Sequence, residues 1–132
     1  MKLSYLIDTD WIIHYLVGNE KIVKKLLPLK EEGLAISIIS LAELYEGIYY
    51  SIDPIGNERA LKNFLTGVTV LGIEEEICKI FGKERGRLRK KGRIVGDFDL
   101  LIASTCLYYH LTLLTNNTKH YEGVKGLNII SV

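Results

Sequence analysis

The chain has 132 residues, 48% of them hydrophobic, and its 17 lysines and arginines nearly balance 16 aspartates and glutamates for a net charge of +1. That length suits residues 1–132 as a single globular domain with its own core, and no apolar run approaches the roughly 20 residues of a membrane span. Overall charge does not mark a polyanion binder, and two cysteines do not make a disulfide framework. Cys78 and Cys106 fall in helical, apolar contexts and read as buried free thiols. The first apolar run is too short for a signal peptide, so the expected location is cytoplasmic.

Leu3 to Ile7 reads as a buried strand. Helical patterning follows from Trp11 to Leu16 and from Lys21 to Glu32, with Gly33 as a stop and Pro28 predicting a break or kink. Leu34 to Ser37 is a second strand, after which Ser40 opens a helix through Tyr50. Ser51 to Asn57 is a turn-rich connection, followed by a helix over Glu58 to Leu65 and a strand over Val68 to Leu71. A long helix spans Glu74 to Lys91, another runs from Asp97 to Tyr109, and strands close the chain at Leu111 to Leu114 and Asn128 to Val132. Helices separate most strands, which favours parallel crossovers and a three-layer α/β/α sandwich around a mainly parallel sheet.

The acids recur at one kind of place. Asp8 ends the first strand, Glu43 lies in the helix after the second, Asp97 and Asp99 open a late helix, and Asn117 follows the Leu111 to Leu114 strand. In open parallel sheets the ligand site lies beyond the carboxyl ends of the strands, so all of these can face one rim. Converging carboxylates call for a cation, and oxygen-only ligands suit magnesium or manganese. The reading is a metal-dependent phosphodiesterase, with RNA as substrate.

Each residue also has a plainer role. Ser40-Leu41-Ala42-Glu43 is a capping-box sequence, Asp97 could cap its helix with Asp99 in the positive first turn, Asp8 could cap the helix containing Trp11, and Asn117 could make a turn. These roles explain each residue singly but not their common edge. Seven basic residues fall between Lys83 and Arg93, including Arg85, Arg87, Arg89 and Arg93, and form either a ridge for nucleic-acid phosphates or a solvated helix face.

Four segments in order resemble the PIN domain, and specifically the VapC toxins of type II toxin–antitoxin pairs: Leu6 to Asp10, Ile39 to Gly47, Gly96 to Ala103 and Leu111 to Asn117. The resemblance implies a Mg²⁺- or Mn²⁺-dependent ribonuclease in which Asp8 and Asp99 bind metal, while Glu43 and Asp97 hold and orient the attacking water. Thr115 matches a hydroxyl that orients the site, and Asn117 stands where many members have Asp. The products would be a 5′-phosphate and a 3′-hydroxyl. The resemblance also implies a VapB-like antitoxin and a homodimer, with Trp11, Tyr45, Ile48 and Tyr49 as candidates for a partner groove or for core packing. The rivals are an inactive PIN-like binding module and a receiver-like phosphoacceptor domain, for which Lys119 is the late lysine.

Overall fold

The computed structural model describes residues 2–132. Five parallel strands form one sheet: β1 (Tyr5–Ile7), β2 (Leu34–Ser37), β3 (Val68–Leu71), β4 (Thr112–Leu114) and β5 (Ile129–Ile130). Their order is β3-β2-β1-β4-β5. The helices are α1 (Thr9–Leu16), α2 (Glu20–Leu29), α3 (Ile38–Tyr49), α4 (Pro54–Leu65), α5 (Glu75–Lys90) and α6 (Asp97–Tyr109).

Strand alternation divides the core into two halves. Leu6, Ala35 and Leu113 pack toward α5 and α6 with Leu88, Leu100, Ala103 and Cys106. Ile7, Leu34, Ile36 and Leu114 face the other way, onto Trp11, Ile12, Leu26, Leu44, Leu61 and Phe64 of α1–α4. Successive strand residues point to opposite faces, and parallel strands covered on both faces are continuously apolar, as Leu34 to Ile36 are. The result is the expected α/β/α sandwich. Among the described residues no helix is long and apolar enough to cross a membrane.

Several boundaries differ from the sequence expectation. Ser37, not Ser40, caps α3: its hydroxyl accepts from the Ile39 amide at 3.0 Å, so β2 passes into α3 without a loop. Ser40 is therefore inside the helix, fully buried, with a hydroxyl that has no partner among the described residues. α4 starts at Pro54 with Asp53 as its cap, so half of the expected connection is helix; Pro at the first helical position has no amide to lose there. Pro28 sits near the end of α2, and the break falls after it, where Lys30–Glu32 tighten into a 3₁₀ turn. Cys106 is buried as expected, whereas Cys78 is exposed, because its helix turns that face to solvent.

Candidate active site

β1 and β4 are neighbours in space but distant in sequence, and the connections leaving their carboxyl ends pack on opposite faces of the sheet, α1 by Trp11 and Ile12 on one and the segment after β4 by Tyr121 and Val124 on the other. Such a switch point leaves a crevice beyond the strand ends. Ile7 pairs with Leu114, so the residues that follow the two strands, Asp8 and Thr115, meet at the lip of that crevice. The Asp8 amide donates to the Leu114 carbonyl at 2.9 Å, which holds the two segments in register.

Asp8 is buried and caps α1. Its Oδ1 accepts from the Thr9 amide at 2.8 Å, and its Oδ2 accepts from the Thr115 and Tyr121 hydroxyls, each at 2.8 Å. Burial opposes ionisation more strongly than these donors favour it, with Asp10 adding repulsion, and the carboxyl is pushed up to about 6. The Tyr121 hydroxyl also lies 3.5 Å from Asp99 Oδ1, placing one proton between two carboxylates. Burial and both acids raise the Tyr121 phenol, so it stays a donor. Asp99 is raised by burial too, against the favourable charge of His120, whose Nδ1 is 3.4 Å from Asp99 Oδ2.

The remaining residues complete a cleft of about 500 Å³. Five carboxylates line it, those of Asp8, Asp10, Glu43, Asp97 and Asp99, together with Thr9, Asn117, Phe98 and His120. Glu43 Oε1 accepts from the Thr9 hydroxyl at 2.8 Å, which ties α3 to the start of α1. Asp10 Oδ2 accepts from the Asn116 amide at 2.9 Å, and the Asn117 amide donates to the Thr115 hydroxyl at 3.0 Å. Among the described residues neither lysine nor arginine lines the cleft.

Thus all six residues expected from the sequence, Asp8, Glu43, Asp97, Asp99, Thr115 and Asn117, come to one edge, in differing states. Asp97 is on the exposed rim and is already paired with Arg85 at 2.6 Å. Gly96, not Asp97, caps α6, so Asp97 and Asp99 occupy its positive first turn. Glu43 has no capping role. Thr9, Asp10 and Tyr121 were missed. Asp10 is legible in principle, since it follows β1 by three residues, but Tyr121 carries no local signal.

The donor set suits a hard divalent cation. The carboxylates that would bind it are oxygen donors, and Asp8 and Asp99 approach a common hydroxyl in a cleft that, among the described residues, neither lysine nor arginine lines. Among the described residues no three His, Cys, Asp or Glu side chains draw close enough to enclose an ion by themselves. Two carboxylates with water in the other positions is the arrangement magnesium accepts.

Residues 5–125 match the PIN domain model. The chain is 35% identical over 129 residues to Ribonuclease VapC1 of Haemophilus influenzae, covering 95% of both chains. It is 30% identical over 125 residues to the tRNA(fMet)-specific endonuclease VapC of Shigella flexneri, again over 95% of each. Among solved structures it superposes on VapBC2 from Rickettsia felis bound to a promoter DNA fragment, with a TM-score of 0.91 and 29% identity over 98% of this chain and 99% of that one. With the acid-lined switch point in place, this chain belongs to the PIN-domain family and, within it, to the VapC type.

Proposed function

We propose that this protein is a divalent-metal-dependent ribonuclease and the toxin of a toxin–antitoxin pair. The observation that carries this reading is the pair of carboxylates, buried Asp8 and half-buried Asp99, sharing the Tyr121 hydroxyl in a cleft that, among the described residues, neither lysine nor arginine lines. The names of its relatives, ribonuclease and tRNA(fMet)-specific endonuclease, support RNA as the substrate.

Asp8 and Asp99 are the residues that would hold the ion. A bound divalent cation supplies the charge that lets a phosphodiester approach these carboxylates, and it makes water a better nucleophile. Thr115 and Tyr121 fix the Asp8 carboxylate by their hydroxyls, so it needs no reorganisation when the site loads. Glu43, steadied by Thr9, orients the attacking water and takes its proton. The water oxygen bonds to phosphorus as the bond to the 3′ oxygen breaks, and that oxygen takes a proton from solvent, leaving a 5′-phosphate and a 3′-hydroxyl. Asp97, held by Arg85, and Asn117 contribute at the rim.

A VapB-like antitoxin is the proposed partner, supported by relatives solved as VapBC complexes. An apolar groove of about 270 Å³ runs between α1, α3 and α4, lined by Ile13, Leu16, Leu44 and Ile48, and Glu43 lines both this groove and the acidic cleft. Of the sequence candidates, Ile48 belongs to this groove, while Trp11 is core and Tyr45 donates to Glu58 at 3.2 Å. Exposed Tyr49, Tyr50, Ile52 and Ile55 at the α3–α4 turn support homodimerisation there. The phosphoacceptor reading is disfavoured, because Lys119 does not line the cleft.

Purified protein should cleave RNA with Mg²⁺ or Mn²⁺ and stop on addition of EDTA. Absence of cleavage with every divalent ion tried would return the chain to a binding module. Because Ser37 is the α3 cap, Glu43→Gln should lower cleavage by about 100-fold at an unchanged melting temperature. A lower melting temperature would restore a structural role for that carboxylate.

A further inference from the structure

We propose that the RNA strand leaves the acidic cleft across Gly96 into a basic basin, where Arg89 and Arg93 contact its phosphates and Phe98 supports a base. This rests on the ribonuclease reading above. The basin measures about 400 Å³ and is lined by Arg85, Arg89, Arg93 and the loop from Ile94 to Asp97. Gly96 and Asp97 also line the acidic cleft, so the two hollows are contiguous. Gly96 puts no side chain between them, and a Cβ there would meet Asp99 Oδ2 at 3.5 Å.

Not every arginine of the basic run is available. Arg85 stacks over Phe81 at 5.3 Å, donates to the Val95 carbonyl at 2.7 Å and pairs with Asp97. Its charge is taken up in positioning the loop that leads into α6. Arg87 turns away, onto Glu84 at 2.8 Å and the Gly123 carbonyl, and does not line the basin. Both were candidate phosphate contacts by sequence, and the structure assigns them to the scaffold instead. Arg89 is exposed and has no carboxylate partner among the described residues, and Arg93 reaches only Glu122, at 4.0 Å. Arg85 and Arg89 share a face of α5 by their four-residue spacing. Gly92, left-handed at φ 67°, ends the helix and returns Arg93 to that side.

The chemistry alternates as a single strand requires. The acids take the scissile phosphate only with a cation, whereas Arg89, unpaired among the described residues, and Arg93, whose exposed pair with Glu122 is long at 4.0 Å, take further phosphates directly. Between them Phe98 is 56% exposed and Ile94 95% exposed, apolar surface that suits an unstacked base. Duplex RNA presents no such free base faces, so the surface selects single-stranded segments.

The test measures binding of a fluorescein-labelled single-stranded RNA of mixed sequence as a function of salt, in an Asp8→Asn background that leaves the probe intact. Replacing Arg89 and Arg93 with glutamine should reduce the slope of log K against log salt by about 1.4, since each phosphate contact contributes about 0.7. Arg89→Lys with Arg93→Lys should keep the slope, which excludes misfolding as the cause. Lys24→Gln with Lys25→Gln, exposed lysines that line neither hollow, should also keep it. Phe98→Ala should weaken binding severalfold without changing the slope, because stacking releases no counterions. If the glutamine pair behaves like the lysine control, or weakens only capture of an acidic protein partner, the basin is not an RNA site. A wild-type protein that degrades RNA while those variants bind normally overturns the basin alone. A wild-type protein that neither binds nor degrades RNA overturns the nuclease reading and the basin together.

Discussion

Asp8→Asn is expected to lower RNA cleavage by on the order of 100-fold or more and, at the same time, to stabilise the metal-free protein at neutral pH. The two effects share one cause. Burial has lifted the Asp8 carboxyl from 3.8 to about 6, so the folded protein holds that proton more tightly than the unfolded chain does. Below pH 3.8 both states are protonated and ionisation costs nothing. As pH rises through that value the unfolded chain ionises first, and the penalty on the fold grows until the folded carboxyl ionises near 6. Above that pH the penalty is complete, at about 3 kcal/mol for a shift of this size. Asparagine removes the charge and can still cap the Thr9 amide with its oxygen, but its NH2 faces the Thr115 and Tyr121 hydroxyls that donated to the carboxylate, a loss of about 1 kcal/mol that leaves a net gain of about 2 kcal/mol. Urea denaturation in EDTA at pH 7 and at pH 4 checks this: the variant should be the more stable at pH 7 and lose that advantage at pH 4. Equal or lower stability at pH 7 would mean that Asp8 is held as a structural cap and not at the expense of the fold.

Trp11→Ala should cost about 3–5 kcal/mol. Trp11 is fully buried in the half-core under α1–α4, and its indole Nε1 donates to Asn116 Oδ1 at 3.0 Å. That same oxygen accepts from the Val132 amide at 3.0 Å, so one side chain ties α1 to the segment after β4 and to the chain end. Trp11→Phe keeps most of the buried area but loses this bond and part of the ring volume, for about 2 kcal/mol. Cleavage should fall with it, because α1 begins with Asp8, Thr9 and Asp10 against Thr115 and Asn116. A Trp11→Ala protein that unfolds at the wild-type urea concentration yet loses its partner would reinstate Trp11 as a docking residue.

Much of this molecule was legible because its signals are local. β-branched and apolar runs marked β1 to β4, the spacing of helices between them forced parallel crossovers, and four acids, one after β1, one in α3 and two opening α6, marked the working edge. The errors are local too. Ser40 satisfies the capping-box pattern as written, but β2 feeds α3 directly and Ser37 reaches the Ile39 amide first. Asp53-Pro54 is a helix start that the turn-like composition around it obscured.

Composition and spacing alone determined the fold class, the order of its elements and the chemical character of the site, since each depends on periodicities and residue types read along the chain. Tertiary structure decided which of those residues act together. Tyr121, 113 positions from Asp8, enters the site only because the sheet order brings the segment after β4 beside β1. Arg85 and Arg89 are equivalent in sequence, yet one is committed to Asp97 and the other faces open solvent beside the cleft. A carboxylate's pKa, an arginine's freedom and a hydroxyl's aim depend on burial and on partners remote in sequence, and these exist only once the chain has closed.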